Sequence, residues 1–266
     1  MSTGSVIDIG FWQLASAYVF IGLLLFIVRA RGINREKEII IASVRMTIQL
    51  VLVGYLLAYV FENNHPLWTI IMLAIMVTFA IFNIYKRVRV PLTLRVKRII
   101  AFAMASGTLF SLVYFLLVVL RVYPWYDSRY FIPIAGMIIG NSMTGIALGV
   151  NHLVEGIHKQ WATIEGSLML GATPQMAVKD IVNDAFDSAL LPTINSMVGM
   201  GIVFLPGMMT GQILSGVSPV TAIQYQIAIM LGIVGSVALT VILFVHYGYQ
   251  AYFNSRAQLV EVTESA

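Results

Sequence analysis

The sequence has no cysteine and little charge. Lys and Arg number 16 and Asp and Glu 12, so 11% of the 266 residues are charged, against about 25% in an ordinary soluble domain. Without cysteine there are no disulfides, no thiolate ligands for zinc or iron–sulfur clusters, and no thiol nucleophile. No Gly-Lys pair occurs anywhere, so the G-x-x-x-x-G-K-[ST] loop, whose lysine reaches the phosphates of a nucleotide, is missing. The four histidines are scattered and the few carboxylates keep to the connections, so no nucleophile–base pair emerges. What fills the chain is apolar: 59% of residues, with a mean hydropathy of +0.88. That composition excludes a soluble enzyme, a disordered regulator and a fibrous protein, and makes lipid the solvent.

A membrane helix needs about 20 mostly apolar residues, because the hydrocarbon core is about 30 Å thick and each residue rises about 1.5 Å. Charge-free stretches run from Ile9 to Val28, Met46 to Phe61 (of spanning length once Ile39 to Val44 is added across Arg45), Asn63 to Tyr85, Ile99 to Leu120 and Tyr130 to Val154. Ser188 to Ser255 then continues for 68 residues without a charge. Pro192, Pro206 and Pro219 divide it into crossings near 188–205 and 220–245. The segment 206–219 is too short to cross and reads as an outer or re-entrant piece. The expected fold is therefore an all-α polytopic bundle of about seven transmembrane helices in a single domain, 1–266.

Orientation follows from Lys and Arg in the short connections. Thirteen of the 16 lie on one face: Arg29, Arg31, Arg35, Lys37, Lys86, Arg87, Arg89, Arg95, Lys97, Arg98, Lys159, Lys179 and Arg256. Arg121 and Arg129 lie on the other, and Arg45 sits about two turns into the second span, near enough to snorkel, with Gln49 on its face. This puts the N-terminus outside and the C-terminus in the cytoplasm. Met1 to Gly10 has no basic region, so a cleaved signal peptide is not expected and the first span is retained. The net charge of +4 thus reports orientation, and no nucleic-acid partner is expected.

One cytoplasmic connection is long, residues 152–187. Ile157, Trp161, Ile164 and Leu168 recur at helical spacing. Gly171 breaks the run, Thr173 can cap a new helix and Pro174 suits its first turn. Asp180, Asp184 and Asp187 then share one helical face. Such a helix–break–helix fits docking to a soluble partner, and equally fits a helix resting on lipid headgroups.

The segment from Glu165 through Gly171, Ala172, Thr173 and Pro174 resembles the EAA loop of ABC-transporter permeases, with Glu six residues before Gly and Ile181 about ten after it. The motif usually continues into Leu-Pro, where this chain has Asn183-Asp184. The match widens with Ile132 to Met143, Leu170 to Pro174, Leu205 to Gly216, Pro219 to Gln226 and Asn254 to Leu259, which are similar to the FetB-like permeases along nearly the whole chain. The resemblance implies a permease subunit of the bacterial inner membrane, exporting a metal ion (iron in bacterial members, aluminium tolerance in plant ones). It implies a homodimer driven by a separate cytoplasmic ATPase subunit that binds ATP and Mg, with no cofactor in this chain and Glu165 with Gly171–Pro174 in the coupling contact.

Polar groups inside spans are costly and mark candidate pathways. Gly136-Met137-x-x-Gly140-Asn141 and Gly207-Met208-Met209-x-Gly211-Gln212 repeat one pattern, each continuing to a third Gly, Gly145 or Gly216. Met137, Asn141, Met208, Met209 and Gln212 are therefore candidates for one pathway near the outer mouth; close helix packing through small residues explains the same spacing. Thr193, Asn195 and Ser196 form a second polar group, which interhelical hydrogen bonds would also explain. His152, Glu155 and His158, at i, i+3 and i+6, are weak metal-ligand candidates, solvated interfacial side chains being the alternative. Two other classes stay open: a secondary transporter or channel, disfavoured by the lack of ionisable residues at membrane depth, and a membrane scaffold without transport.

Overall fold

The computed structural model describes residues 8–88 and 92–260. Arg89, counted above among the orientation signals, and residues 1–7 of the expected leaderless N-terminus lie outside the described residues. The first apolar run forms α1 (Phe11–Ala17) and α2 (Val19–Ala30), which meet at Tyr18. There follow α3 (Glu36–Glu62), α4 (Pro66–Arg87) and α5 (Leu94–Tyr114), which ends in a π-turn over Phe115–Val119. Then come α6 (Ser128–Lys159), α7 (Trp161–Met169), α8 (Pro174–Ala177), α9 (Lys179–Gly199), α10 (Gly207–Leu214) and α11 (Pro219–Gly248). Among the described residues no strand forms beyond two isolated bridges.

The starts carry the expected chemistry. Thr93 Oγ1 accepts from Val96 N, Asp127 accepts from Arg129 N at 3.1 Å, and Pro66 and Pro219 occupy first turns where their missing N–H costs nothing. Six helical stretches are long and apolar enough to cross a membrane: 11–30, 36–62, 66–87, 94–119, 128–159 and 219–252. The chain is an integral membrane protein.

The seventh crossing needs correction at both ends. The charged stretch 179–187, read from sequence as part of the cytoplasmic excursion, is the first half of α9, which ends at Gly199 rather than continuing to 205. Ala185, Ala189 and Ile181 are buried against α6, which draws Lys179 to Asp187 into one continuous helix despite their charge. The excursion also starts later than expected. With 32 residues, α6 is about 48 Å long, so His152 to Lys159 belong to its projecting end. The free connection is 160–178.

Lipid tails are as apolar as leucine, so helices in a bilayer associate through close packing, not through escape from water. Small residues supply that packing around α6, which sits against α4, α5, α9 and α11. A Cβ at Gly145 would lie 2.6 Å from Val237 Cγ1, and one at Gly156 would lie 2.6 Å from Ile181 Cγ2. On the neighbouring seam, a Cβ at Gly107 would meet Thr240 Cγ2 at 2.4 Å and its Cα at 3.0 Å. Ser142 and Ser236 hydrogen-bond across α6 and α11 at 3.0 Å.

The hairpin of α1–α3 lies outside this core; α2 buries only Val28 and α3 only Val60. Tyr18 hydrogen-bonds Thr47 between them. Arg45 stacks over the Phe79 ring of α4 at 5.2 Å and shares a shallow face with Gln49, which satisfies a charge inside an apolar span.

Candidate functional site

Two features stand out: the tip made by α7 and α8, and a polar stripe on α6. The tip is held from below. Ile157 and Ile164 are buried, and Trp161 and Leu168 pack half-buried on the same core, as their spacing predicts. Gly171 N donates to Leu168 O and Ala172 N to Ser167 O, both at 3.0 Å, closing α7 with a Schellman motif around a left-handed residue. Gly171 has φ +92° with open space about it, so any side chain there is opposed by backbone strain rather than by crowding. Thr173 Oγ1 then accepts from Met176 N at 3.4 Å to start α8, and buried Val178 leads into α9.

This construction turns Glu165 outward and leaves Met169, Leu170 and Met176 at 85%, 91% and 68% exposure. The tip lies at the same end of the bundle as Lys86, Arg95 and Lys159, beyond the apolar spans. Beside it, a cavity of about 490 Å³ separates α7 from the C-terminal turn, with Glu165, Leu168, Asn254, Arg256 and Gln258 in its wall. Asn254 builds that turn: its Oδ1 accepts from Arg256 N and Gln258 N, both at 2.9 Å, and its Nδ2 donates to Gln258 Oε1 at 2.9 Å. The structure thus brings together two motifs 90 residues apart, Glu165–Pro174 and Asn254–Leu259.

The α6 stripe consists of residues that no other element covers: Pro133, Asn141, Thr144, His152 and Lys159 are exposed, with Met137, Leu148 and Glu155 half-buried between them. Asn141 Nδ2 donates to Met137 O and Thr144 Oγ1 to Gly140 O, so both satisfy one donor within the helix and leave oxygens turned outward. Counting from Ser128, Asn141 lies about 20 Å along α6.

The two Gly-Met segments are not equivalent. Gly207–Leu214 is a short helix packed on α11 in the connection opposite the basic end, with Met209 buried and Met208 half-buried. Gln212 Oε1 is buried there without a hydrogen-bond partner, as is Gln226 Oε1 on α11. Gly145 has the packing role that small-residue spacing suggests, whereas Gly140, Gly211 and Gly216 meet nothing within 4 Å. Asn195 is exposed on α9 on the face of Asp184 and Asp187, Thr193 is buried, and Ser196 donates to Pro192 O within its own helix. These three do not form one cluster.

The metal-ligand set also disperses. His152 and His158, six residues apart, point about 120° from each other around the helix. Glu155 pairs with Lys159 at 3.3 Å, and the His158 ring stacks on Trp161. Among the described residues no group of three His, Asp or Glu is placed to hold a metal.

Sequence reasoning passed over Met169, Leu170 and Met176, and over Thr144. The first three carry a readable signal: large apolar residues at the charged end of the chain, outside any span. Thr144 completes a stripe at i, i+4 and i+7 from Met137 through Asn141 that is visible only once α6 is known to present that face.

Residues 11–253 match the model of an uncharacterised protein family, UPF0014. A UPF0014 membrane protein of Synechocystis is 35% identical over 95% of both chains. The Escherichia coli "probable iron export permease protein FetB" is 32% identical over 93% of this chain and 94% of its own. The Arabidopsis thaliana protein ALUMINUM SENSITIVE 3 is 35% identical over 92% and 88%. No solved structure matches.

Proposed function

Because the chain belongs to the UPF0014 family, we propose that it is the membrane subunit of an ATP-driven exporter, working as a homodimer with a separate cytoplasmic ATPase that binds ATP and Mg. Its basic end faces the cytoplasm of a bacterial inner membrane, as the Lys and Arg distribution favours. The observation that carries the reading is the α7–α8 tip. Apolar residues on the basic end, beyond the spans, are left exposed by the described chain and suit the groove of a soluble protein. A push on the tip reaches α9 directly, because α8 runs into it through buried Val178 and Ile181 packs against Gly156. The helix that receives the push carries Asn195 on its open face.

The cargo in this reading is a metal ion, iron by likeness to the Escherichia coli relative. Amide and hydroxyl oxygens of Asn141 and Thr144, with the Met137 thioether, would give weak ligation that lets an ion leave as readily as it enters. A stripe on one side of one helix makes half a path, and a second copy supplies the other half.

The test is Glu165→Lys in the permease purified with its ATPase and reconstituted in vesicles. Glu165 is exposed and pairs with no described residue, so the variant should insert and elute as the parent does, yet lose the stimulation of ATP hydrolysis. Full stimulation in that variant refutes the coupling assignment.

A further inference from the structure

A cavity of about 870 Å³ opens between the first turns of α5 and the last turns of α11, lined by Leu94, Arg95, Arg98, Ile99, Phe102, Tyr247 and Gln250. Two arginines three residues apart share one helical face there. Both are exposed, and among the described residues neither has a carboxylate within salt-bridge distance. Their position raises the electrostatic cost. The N-terminal turn of α5 already presents the positive end of the helix dipole, and it contains no acidic residue. A cluster of this kind is stabilised by an anion, and none of the described residues supplies one. Gln250 is engaged elsewhere, its Nε2 donating to His246 O at 3.1 Å.

The rest of the cavity says what kind of anion. Phe102 lies eight residues from the start of α5, about 12 Å into the helix, and is 56% exposed; its ring meets Tyr247 edge-on at 6.2 Å. These walls belong to helices long and apolar enough to cross a membrane and are exposed on this chain, as surfaces facing hydrocarbon are. Above them the groove closes where Gly107 meets Thr240. A molecule filling this space needs a phosphate at the arginines and an acyl chain along Ile99 and Phe102.

We propose that the α5–α11 groove is a binding site for an anionic phospholipid at the basic end of the bundle. Arg95 and Arg98 hold its phosphate with charge-assisted hydrogen bonds, and the apolar wall holds the first part of an acyl chain. Basic pockets between spans at the cytoplasmic surface take such headgroups.

The experiment uses the full chain purified from nanodiscs of phosphatidylglycerol and phosphatidylcholine, with retained lipid counted by native mass spectrometry. The parent should retain phosphatidylglycerol in preference, and Arg95→Gln/Arg98→Gln should lower that preference on the order of tenfold. Gln250→Glu leaves every Lys and Arg in place, so orientation is preserved, but sets a carboxylate beside the arginines; it should lower retention as well. Arg31→Gln, at the same end but outside the cavity, should not. Parent-like retention in Gln250→Glu overturns the site, as does an equal loss in Arg31→Gln. Displacement of the lipid by excess inorganic phosphate would show a free-anion site and overturn the lipid assignment.

Discussion

Gly107→Ala is the sharpest probe of the bundle, because one added methyl meets both side chain and backbone. The new Cβ would lie 2.4 Å from Thr240 Cγ2, 3.2 Å from its Cβ and 3.0 Å from its Cα. A rotamer change moves only the first of these atoms, so α5 and α11 must separate by several tenths of an ångström. Overpacking of this kind costs about 1–3 kcal/mol, while alanine recovers about 1 kcal/mol of helix propensity over glycine. Contacts with backbone put the cost at the upper end, leaving a net loss of about 2 kcal/mol, or roughly 4–8 °C in melting temperature. Thermal unfolding of purified protein in detergent, followed by tryptophan fluorescence or size-exclusion profile, reads this directly. Adding Thr240→Ala removes Cγ2 and should restore part of the loss, since Thr240 Oγ1 bonds only to Ser236 O and Val237 O of its own helix. A Gly107→Ala protein as stable as the parent would mean that α5 and α11 do not cross here.

Asn141→Ala removes an exposed amide whose Nδ2 bond stays within its own helix, so membrane abundance should be unchanged while metal transport in vesicles falls at least several-fold; unchanged transport removes Asn141 from the pathway. Ser128→Ala cuts a polar cluster that ties three elements together at the end opposite the basic one. Ser128 Oγ contacts Asn64 Oδ1 at 3.1 Å and Thr69 Oγ1 at 3.1 Å, and Thr69 Oγ1 also donates to Tyr126 O at 3.0 Å. Loss of one member of a buried set costs about 1–3 kcal/mol, which should appear as a lower melting temperature and faster proteolysis of the 121–127 connection, without a change in ATPase stimulation.

How much of this was legible in advance differs from element to element. The boundaries of α4 and α11 fall within a few residues of the charge-free runs, because lipid admits apolar residues and little else. The tip was legible for the same kind of local reason: Gly171 is needed for a positive φ, and Thr173-Pro174 is a helix start in any context. At α9 the reasoning failed, since four charged residues in its first nine argued for a surface segment. Contact with the small residues of α6 overrode that preference, and periodicity along one helix carries no record of its neighbour. The repeated Gly-Met pattern misled for a related reason: the same letters pack α6 against Val237 at Gly145 and leave Gly216, after α10, in open space.

By itself the sequence determined that this protein lives in a membrane, where six of its apolar helices run, and which end is basic, because those follow from transfer costs paid residue by residue. Tertiary structure decided which side of each helix is left uncovered. The stripe through Asn141 and Thr144, the cavity at Arg95 and Arg98, and the meeting of Glu165 with Asn254 all depend on helices distant in sequence being held a few ångströms apart, and that distance is set by packing between faces that no single segment contains.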